Sequence, residues 1–337
     1  MPANKILLLG AGFSRNWNAP LAREVTNSLL QAVDTDAHLQ EVLKRYDKNF
    51  ENALSEIQRE FISAPSSPEA TARFDTLQRA ITGMFERINV SFEPPAPFEF
   101  TNTVQYSVAG FLARFDAIFN LNQDMLLELR YAQQVLSASN TRWSGLEMPG
   151  MRPVPDATLT GIGDNHKRLW TPASPPYSAT PRFQPHFKIH GSSNWYTADG
   201  RRLLVIGGDK EFMIREHAVL RWYYDEFKRR LMTGGTKLMV IGYSFSDRHI
   251  NEAITEAWQN GNLVGLFLVD PAGWDVLNPT PPYHIKVPNA LEEIRRLGGS
   301  TRLISSTFAG DAFEHQKFID FFREASDEVD PRGEPRR

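Results

Sequence analysis

Five short segments of the chain carry residue types that could bind or convert a polar small molecule. They are "GAGFSR", "NLNQD", "HGSSN", "GYSFSD" and "DP", and each comes directly after a run of apolar, strand-like residues. In an open α/β sheet, ligands bind in the crevice outside the carboxyl ends of the strands. Because all five segments occupy that position, together they predict one composite pocket, which no single motif would predict.

The first segment is a glycine turn built on Gly10 and Gly12. Glycine permits a tight turn and close backbone approach, and the N-terminus of a following helix could bind phosphate. A full dinucleotide fingerprint needs a third glycine where Arg15 stands, which disfavours a standard Rossmann dehydrogenase. A glycine turn that binds no ligand is the alternative. The chain has no Walker A motif, so we do not expect ATP hydrolysis.

The second segment offers two carboxamides and a carboxylate, on Asn120, Asn122 and Asp124. Alternation along an extended chain would place all three on one side. A carboxamide there could hold a ribose hydroxyl or a water, and a carboxylate could accept from an amide NH₂. The alternative is a strand exit whose side chains bond only to the local backbone.

The third segment contains His190, the candidate general base. It stands between the apolar strand "HFKI" and the small polar residues "GSSN", which predict a turn. An imidazole whose pKa is near neutral suits proton transfer. An ordinary histidine at a strand end is the alternative. His186 would lie about 13 Å away on the same strand, too far for the two rings to share a metal, so no metal site is expected.

The last two segments offer small and acidic residues at strand exits. Gly242 and Ser244 suit a diphosphate or a ribose, while Asp247 fits the N-cap of the next helix. His249 is interpreted as structural. Asp270 could bind a ribose diol with its two acceptor oxygens, or could belong to a plain turn before a proline.

Composition narrows the class of protein. The 337 residues carry a net charge of -3, which gives no overall field that favours nucleic acid or an anionic membrane. With no cysteine, the chain has no disulfide, no thiolate zinc site and no cysteine nucleophile. No apolar run reaches the roughly 20 residues of a membrane helix, and the short run near the start reads as a buried strand. We therefore expect a cytoplasmic protein that does not bind membranes directly.

Strand-like and helix-like segments alternate along the chain, which predicts an α/β fold with a Rossmann-like, doubly wound, mostly parallel sheet. We expect a single domain over residues 1–326, with a helical insertion at about 21–99 and a long irregular functional loop at about 139–184. The charged residues 327–337 predict a disordered tail. Near the end, "ALEEIRRL" predicts a helix and "TRLISSTF" a strand.

In this order, "GAGFS", "NLNQD", "KIHGSSNW" and "VIGYSFSD" followed by "HIN" resemble the sirtuin-like NAD-consuming domains of bacterial anti-phage defence systems. The resemblance spans about residues 7–271. It implies that the dinucleotide diphosphate and ribose are bound by Gly10, Ala11, Gly12, Ser14, Gly242 and Ser244. It also implies that Asn122 and Asp124 line the nicotinamide side, that His190 is the general base, and that Asp270 lies near the adenosine ribose.

Two departures separate the chain from deacetylase sirtuins. Those enzymes carry a four-cysteine zinc module, and they follow the glycine loop with a segment like Pro-Asp-Phe-Arg, where this chain has "NWNAPLA". The resemblance therefore implies an NAD+ glycohydrolase, with NAD+ as substrate and no zinc. A non-catalytic module that binds NAD or ADP-ribose is the main alternative, and a protein deacylase is the third.

An NADase that is always active would be toxic to its host, so the resemblance also implies regulation. We expect a homo-oligomer, with a HerA-like hexameric ATPase as the leading candidate partner, acting in anti-phage defence by NAD depletion.

Overall fold

The computed structural model describes residues 4–46, 50–64, 66–93, 98–100, 106–132, 142–158, 168–207, 210–277 and 289–323. The strands are β1 Lys5–Leu9, β2 Ala117–Asn120, β3 Gly145–Glu147, β4 Met151–Thr158, β5 Arg168–Pro172, β6 Phe183–Lys188, β7 Gly191–Tyr196, β8 Arg202–Leu204, β9 Thr236–Ile241, β10 Leu263–Val269 and β11 Arg296–Ser300. The α-helices are α1 Ala11–Ser14, α2 Ala22–Ala32, α3 Ala37–Tyr46, α4 Phe50–Ser63, α5 Pro68–Ser91, α6 Val108–Leu112, α7 Lys210–Glu216, α8 Ala218–Leu231, α9 Arg248–Gln259, α10 Ile304–Thr307 and α11 Ala312–Asp320.

Seven strands form the central sheet, in the order β11-β10-β9-β1-β2-β6-β3, and every pairing in it is parallel. The strand order reverses at β1, since the chain continues to β2 on one side and later returns to β9 on the other. The α/β, Rossmann-like fold predicted from the sequence is confirmed. A reversal of this kind opens a crevice between the loops that leave β1 and β9.

Both faces of the sheet are covered, which explains why β1 is apolar at consecutive positions. Leu7 and Leu9 belong to one buried core, which they share with the insertion helices and α11. Ile6 and Leu8 belong to the core on the other face, which is completed by α8 and α9. The sheet is therefore sandwiched between two helical layers.

Four helices, α2 to α5, occupy the region where the sequence predicts a helical insertion. Their buried side chains include Leu29, Leu54 and Phe85, which lie in the same core as Leu7. The insertion thus packs directly on the parallel sheet through a shared apolar core.

The sequence-based prediction of a long irregular loop at about 139–184 is wrong for much of that segment. β3 adds a strand to one edge of the central sheet, and β4 and β5 form part of a second sheet in the order β4-β5-β7-β8. The β4–β5 and β7–β8 pairs are antiparallel, and β5–β7 is parallel. β4 and β5 contain prolines, and a proline in a sequence normally argues against a strand. The two strands were therefore not predicted.

Three further sequence-based predictions are wrong in whole or in part. "GSSN" is not a turn but the start of β7. The helix predicted over "ALEEIRRL" is present only as a 3-10 helix at Ala290–Glu293, and the last two residues of that segment begin β11, the seventh strand of the central sheet. "TRLISSTF" contains the short helix α10 instead of a strand. β11 ends in "LGGS", and its two glycines conceal it from a search for apolar runs.

Both ends of the described chain lie at the edge of the sheet where the strands begin. Lys237, near the start of β9, donates its backbone N–H to Asn4 O at 2.8 Å. Its Nζ donates to Arg323 O at 2.6 Å. No helix within the described ranges is long and apolar enough to cross a membrane, and the predicted tail at 327–337 lies outside the described residues.

Candidate functional site

The register of the sheet brings the ends of six strands into one row. Leu9 pairs with Asn120 on one side and with Ile241 on the other. The row continues outward to Lys188, Val269 and Ser300. The residues that follow these positions therefore meet at one edge of the sheet, which is what the five polar segments predict.

A cavity of about 770 Å³ lies at this edge. All ten residues chosen from the sequence line it: Gly10, Ala11, Gly12, Ser14, Asn122, Asp124, His190, Gly242, Ser244 and Asp270. Its volume falls in the range of small-molecule sites, about 300–1,000 Å³. The structure thus brings the predicted residues together, and their chemical roles depend on the geometry below.

The two glycine turns contact each other backbone to backbone. Gly10 N–H donates to Ile241 O at 3.0 Å, and Gly12 N–H donates to Gly242 O at 2.9 Å. A Cβ on Gly10 would lie 2.5 Å from Gly242 O, and one on Gly12 would lie 2.7 Å from Gly242 Cα. Close packing of the two turns therefore requires these glycines, with or without a ligand.

The same contacts bear on the expectation of phosphate binding. The N–H groups of Gly10 and Gly12 are already bonded within the protein. Moreover, α1 has only four residues, so it offers little of the dipole and few of the free N–H groups of a longer helix. These two N–H groups are therefore not available to a phosphate, and phosphate binding at the glycine turn stays a prediction.

Asn122 is held by the glycine turn. Its Nδ2 donates to Gly10 O and to Ser14 Oγ, both at 3.0 Å. Both amide protons are engaged, so the carboxamide oxygen is the atom that Asn122 can offer to a ligand in the cavity. Asn120 instead accepts from the backbone N–H of Asn122 at 2.9 Å, the local bond expected of a strand exit.

Asp124 is buried beside this pair. Burial raises its pKa, although the charge of Lys188 and hydrogen bonds from the Leu126 N–H and the Ser14 side chain oppose the rise. Lys188 is itself fully buried and donates to Glu128 at 2.8 Å and to Ser192 at 2.7 Å. The floor of the cavity next to Asn122 is therefore a dense network of hydrogen bonds.

His190 follows β6 and precedes β7, at the corner between the two sheets. Its Nδ1 lies 3.3 Å from Leu121 O, and its Nε2 lies 3.4 Å from His249 Nε2. Burial, assisted by the charge of Lys210, lowers the pKa of His190 to about 3. The expectation of a near-neutral pKa is therefore wrong, and the ring is neutral at physiological pH.

Sequence reasoning missed a partly buried ion network next to His190. Lys210, at the start of α7, contacts Glu51 Oε1 at 2.8 Å and Asp247 Oδ1 at 2.7 Å. Asp247 occupies the N-cap position of α9 but makes no side-chain cap bond, so its interpretation as a pure cap is wrong. Burial would raise the pKa of Asp247, but the charge and the hydrogen bond of Lys210 oppose burial, and the pKa is lowered.

The other end of the cavity is lined by hydroxyl and carboxylate side chains. Ser244 Oγ donates to Ser246 Oγ at 3.0 Å, and Asp270 Oδ1 accepts from Ala272 N–H at 2.8 Å. Burial raises the pKa of Asp270. Arg302, directly after the row of strand ends, also lines this part. It was missed because β11 was placed too late in the chain.

The helical insertion supplies an apolar wall opposite the strand ends. The cavity is lined there by Val25, Phe50, Met84, Phe85 and Ile88. Apolar walls with a few placed polar groups are typical of sites for small organic ligands. The insertion therefore forms part of the site.

The fold and the cavity define an α/β protein with a small-molecule site at the carboxyl edge of a parallel sheet. Within the described part of the chain, no group of three or more His, Asp or Glu side chains could hold a metal ion. No protein-family model matches the sequence, and a search of curated proteins finds no significant match.

Proposed function

We propose that the protein is an NAD+ hydrolase that cleaves the bond between nicotinamide and ribose, giving nicotinamide and ADP-ribose. The observation that carries the proposal is the convergence of all ten sequence-predicted residues on one cavity at the switch point of a parallel sheet. Such a crevice can accept several kinds of ligand, and the motif resemblance is the reason for proposing NAD+.

The reaction would need positioning more than acid catalysis. Nicotinamide leaves from a cationic ring, so no proton has to be delivered to expel it. The transition state resembles an oxocarbenium ion, as in glycoside hydrolysis. The side-chain oxygen of Asn122 would orient a water or a ribose hydroxyl, and the neutral ring of His190 would accept its proton.

The low pKa of His190 constrains this role. A neutral imidazole has a free lone pair and can accept a proton, but burial makes the resulting cation costly. The diphosphate of a bound dinucleotide would bring negative charge into the cavity and favour the imidazolium. We therefore propose that His190 becomes an effective base only in the substrate complex.

His190→Ala is expected to lower nicotinamide release by at least about 100-fold, the smaller effect usual for loss of a general base. The measurement is nicotinamide and ADP-ribose production from NAD+ by liquid chromatography. His217→Ala is a matched control, since His217 precedes α8 and makes no side-chain cap bond. Full activity of the His190 variant would refute the assigned role.

A second candidate is a non-catalytic module that binds NAD or ADP-ribose and controls a partner. It is favoured by the contacts that both ring nitrogens of His190 already make within the protein. Calorimetry with NAD+ and ADP-ribose, run beside the product assay, separates the two candidates. Tight binding of NAD+ without nicotinamide release, with and without a partner, would select the binding module.

We further propose that the activity serves anti-phage defence through NAD depletion and is regulated by homo-oligomerisation or by a HerA-like hexameric ATPase. The supporting argument is the motif resemblance together with the toxicity of an unregulated NADase. Light scattering after size exclusion, with and without the product of the neighbouring gene, is expected to show a defined assembly with higher NADase activity. An inert monomer under both conditions would contradict this.

A further inference from the structure

The tautomer of His190 follows from its surroundings. Nδ1 lies 3.3 Å from Leu121 O, and a carbonyl oxygen can only accept a hydrogen bond. Nδ1 must therefore carry the proton of the neutral ring. Nε2 is then left with the lone pair that a general base uses.

That lone pair is not directed at open space. His249 Nε2 lies 3.4 Å from His190 Nε2, and the ring centroids are 5.5 Å apart. Because His190 Nε2 can only accept, His249 Nε2 must carry a proton and donate it. A separation of 3.4 Å is at the long end for a hydrogen bond, so the contact is weak and can be displaced at low cost.

The start of α9, which carries His249, is linked to α8 and to the helical insertion by a short chain of contacts. His249 is the second residue of α9, and Tyr224 donates its hydroxyl proton to His249 O at 3.0 Å. Asp247, at the N-cap of α9, binds Lys210, which also binds Glu51 on α4. The start of α9 is thus tied to the insertion by one partly buried lysine.

We propose that His249 caps the lone pair of His190 in the resting protein, and that movement of the start of α9 relative to the insertion uncovers it. The regulatory consequence rests on the proposed NADase function, whereas the cap itself does not. The geometry makes His249 a positioning residue, since it acts through His190 and does not line the cavity. A partner or a second copy that shifts the insertion would then activate the site.

The test uses ¹⁵N-histidine-labelled full-length protein and long-range ¹H–¹⁵N spectra. His190→Ala identifies the His190 signals among the 8 histidines of the chain. We expect a His190 ring protonated at Nδ1, with an Nε2 signal moved upfield because it accepts a hydrogen bond. His249→Phe, which keeps a ring but has no donor, should move that Nε2 signal downfield. His249→Gln, whose amide can donate, should restore it.

The same variants are assayed for nicotinamide release. His249→Phe is expected to be about twofold faster than the wild type, the effect of losing one hydrogen bond at the weak end of the usual range, and His249→Gln should match the wild type. A wild-type His190 ring protonated at Nε2 overturns the proposal, whatever the rates of the His249 variants. An unchanged or lower rate in a folded, NAD-cleaving His249→Phe protein also overturns it. A third outcome separates the two proposals. If neither the wild type nor His249→Phe cleaves NAD+, but His249→Phe moves the Nε2 signal downfield, the proposed function fails and the cap is supported.

Discussion

Gly242→Ala is expected to cost about 4 kcal/mol or more of folding stability, which places it among the most damaging single substitutions. Gly242 has φ 63°, and an added Cβ would lie 2.4 Å from Gly12 C and Phe13 N. Those neighbours are backbone atoms of the facing turn, so no side chain can rotate away to make room. Urea unfolding followed by circular dichroism measures the loss.

Gly261→Ala provides the matched control. Gly261 has φ 70°, nearly the same backbone conformation, but an added Cβ would meet nothing within 4 Å. The Gly261→Ala variant should therefore lose only about 1 kcal/mol of folding stability, which is the cost of holding a residue other than glycine in this backbone conformation. Equal losses at the two positions would show that the contact between the glycine turns contributes little.

Lys210→Met is expected to have the second large effect, a loss of about 3 kcal/mol of folding stability. Removing one partner of a buried ion pair typically costs about 3–5 kcal/mol, because it leaves an uncompensated buried charge. Here two carboxylates would face each other without a cation. The lower end of the range applies because the Glu51 side chain is 32% exposed. Lys44→Met, at an exposed position of α3, is the control.

The pH dependence of this variant has a definite sign. In the native protein the pKa of Asp247 is lowered, so the ion pair stabilises above the ordinary carboxyl pKa and is lost as pH falls through the lowered value. Without Lys210, the pKa of Asp247 should rise above its ordinary value, and the pKa of Glu51, which burial already raises, should rise further. The variant should then recover stability as pH falls from about 8 to about 5. Adding Glu51→Gln should restore part of the loss at pH 7, and no recovery in either experiment would contradict the buried charge pair.

The strand exits that line the cavity could be predicted from the sequence because each one is marked by a few neighbouring residues. An apolar run followed by glycine or a polar residue marks a strand exit, and parallel strands place their exits on the same side. Gly10, Asn122, His190, Gly242 and Asp270 needed no knowledge of which strands are neighbours. The fold class follows from the same alternation of strands and helices.

The elements that were missed lack such a local signal. β4 contains prolines and β11 contains glycines, so neither has the apolar pattern of a buried strand. β7 begins with "GSSN", whose small polar residues resemble a turn. These strands are specified by the neighbours with which they pair, and pairing across long sequence distances is not visible in a single sequence.

The chemistry around His190 was missed for a related reason. Glu51, Lys210 and Asp247 are far apart in the sequence and meet only in the folded chain. The pKa of His190 depends on its burial and on Lys210, neither of which the motif "KIHGSSNW" reveals. Asp247 alone carried a signal, as an N-cap, and that signal indicated the wrong partner for its side chain.

Lys237 has a practical consequence for experiments on this molecule. It contacts both Asn4 and Arg323, so the two ends of the described chain are neighbours, at the edge of the sheet opposite the cavity. A surface tether attached at position 4 or 323 would therefore orient the cavity mouth towards solution. Flow measurements on protein immobilised in this way could then test nucleotides and candidate partner proteins for binding without obstruction by the support.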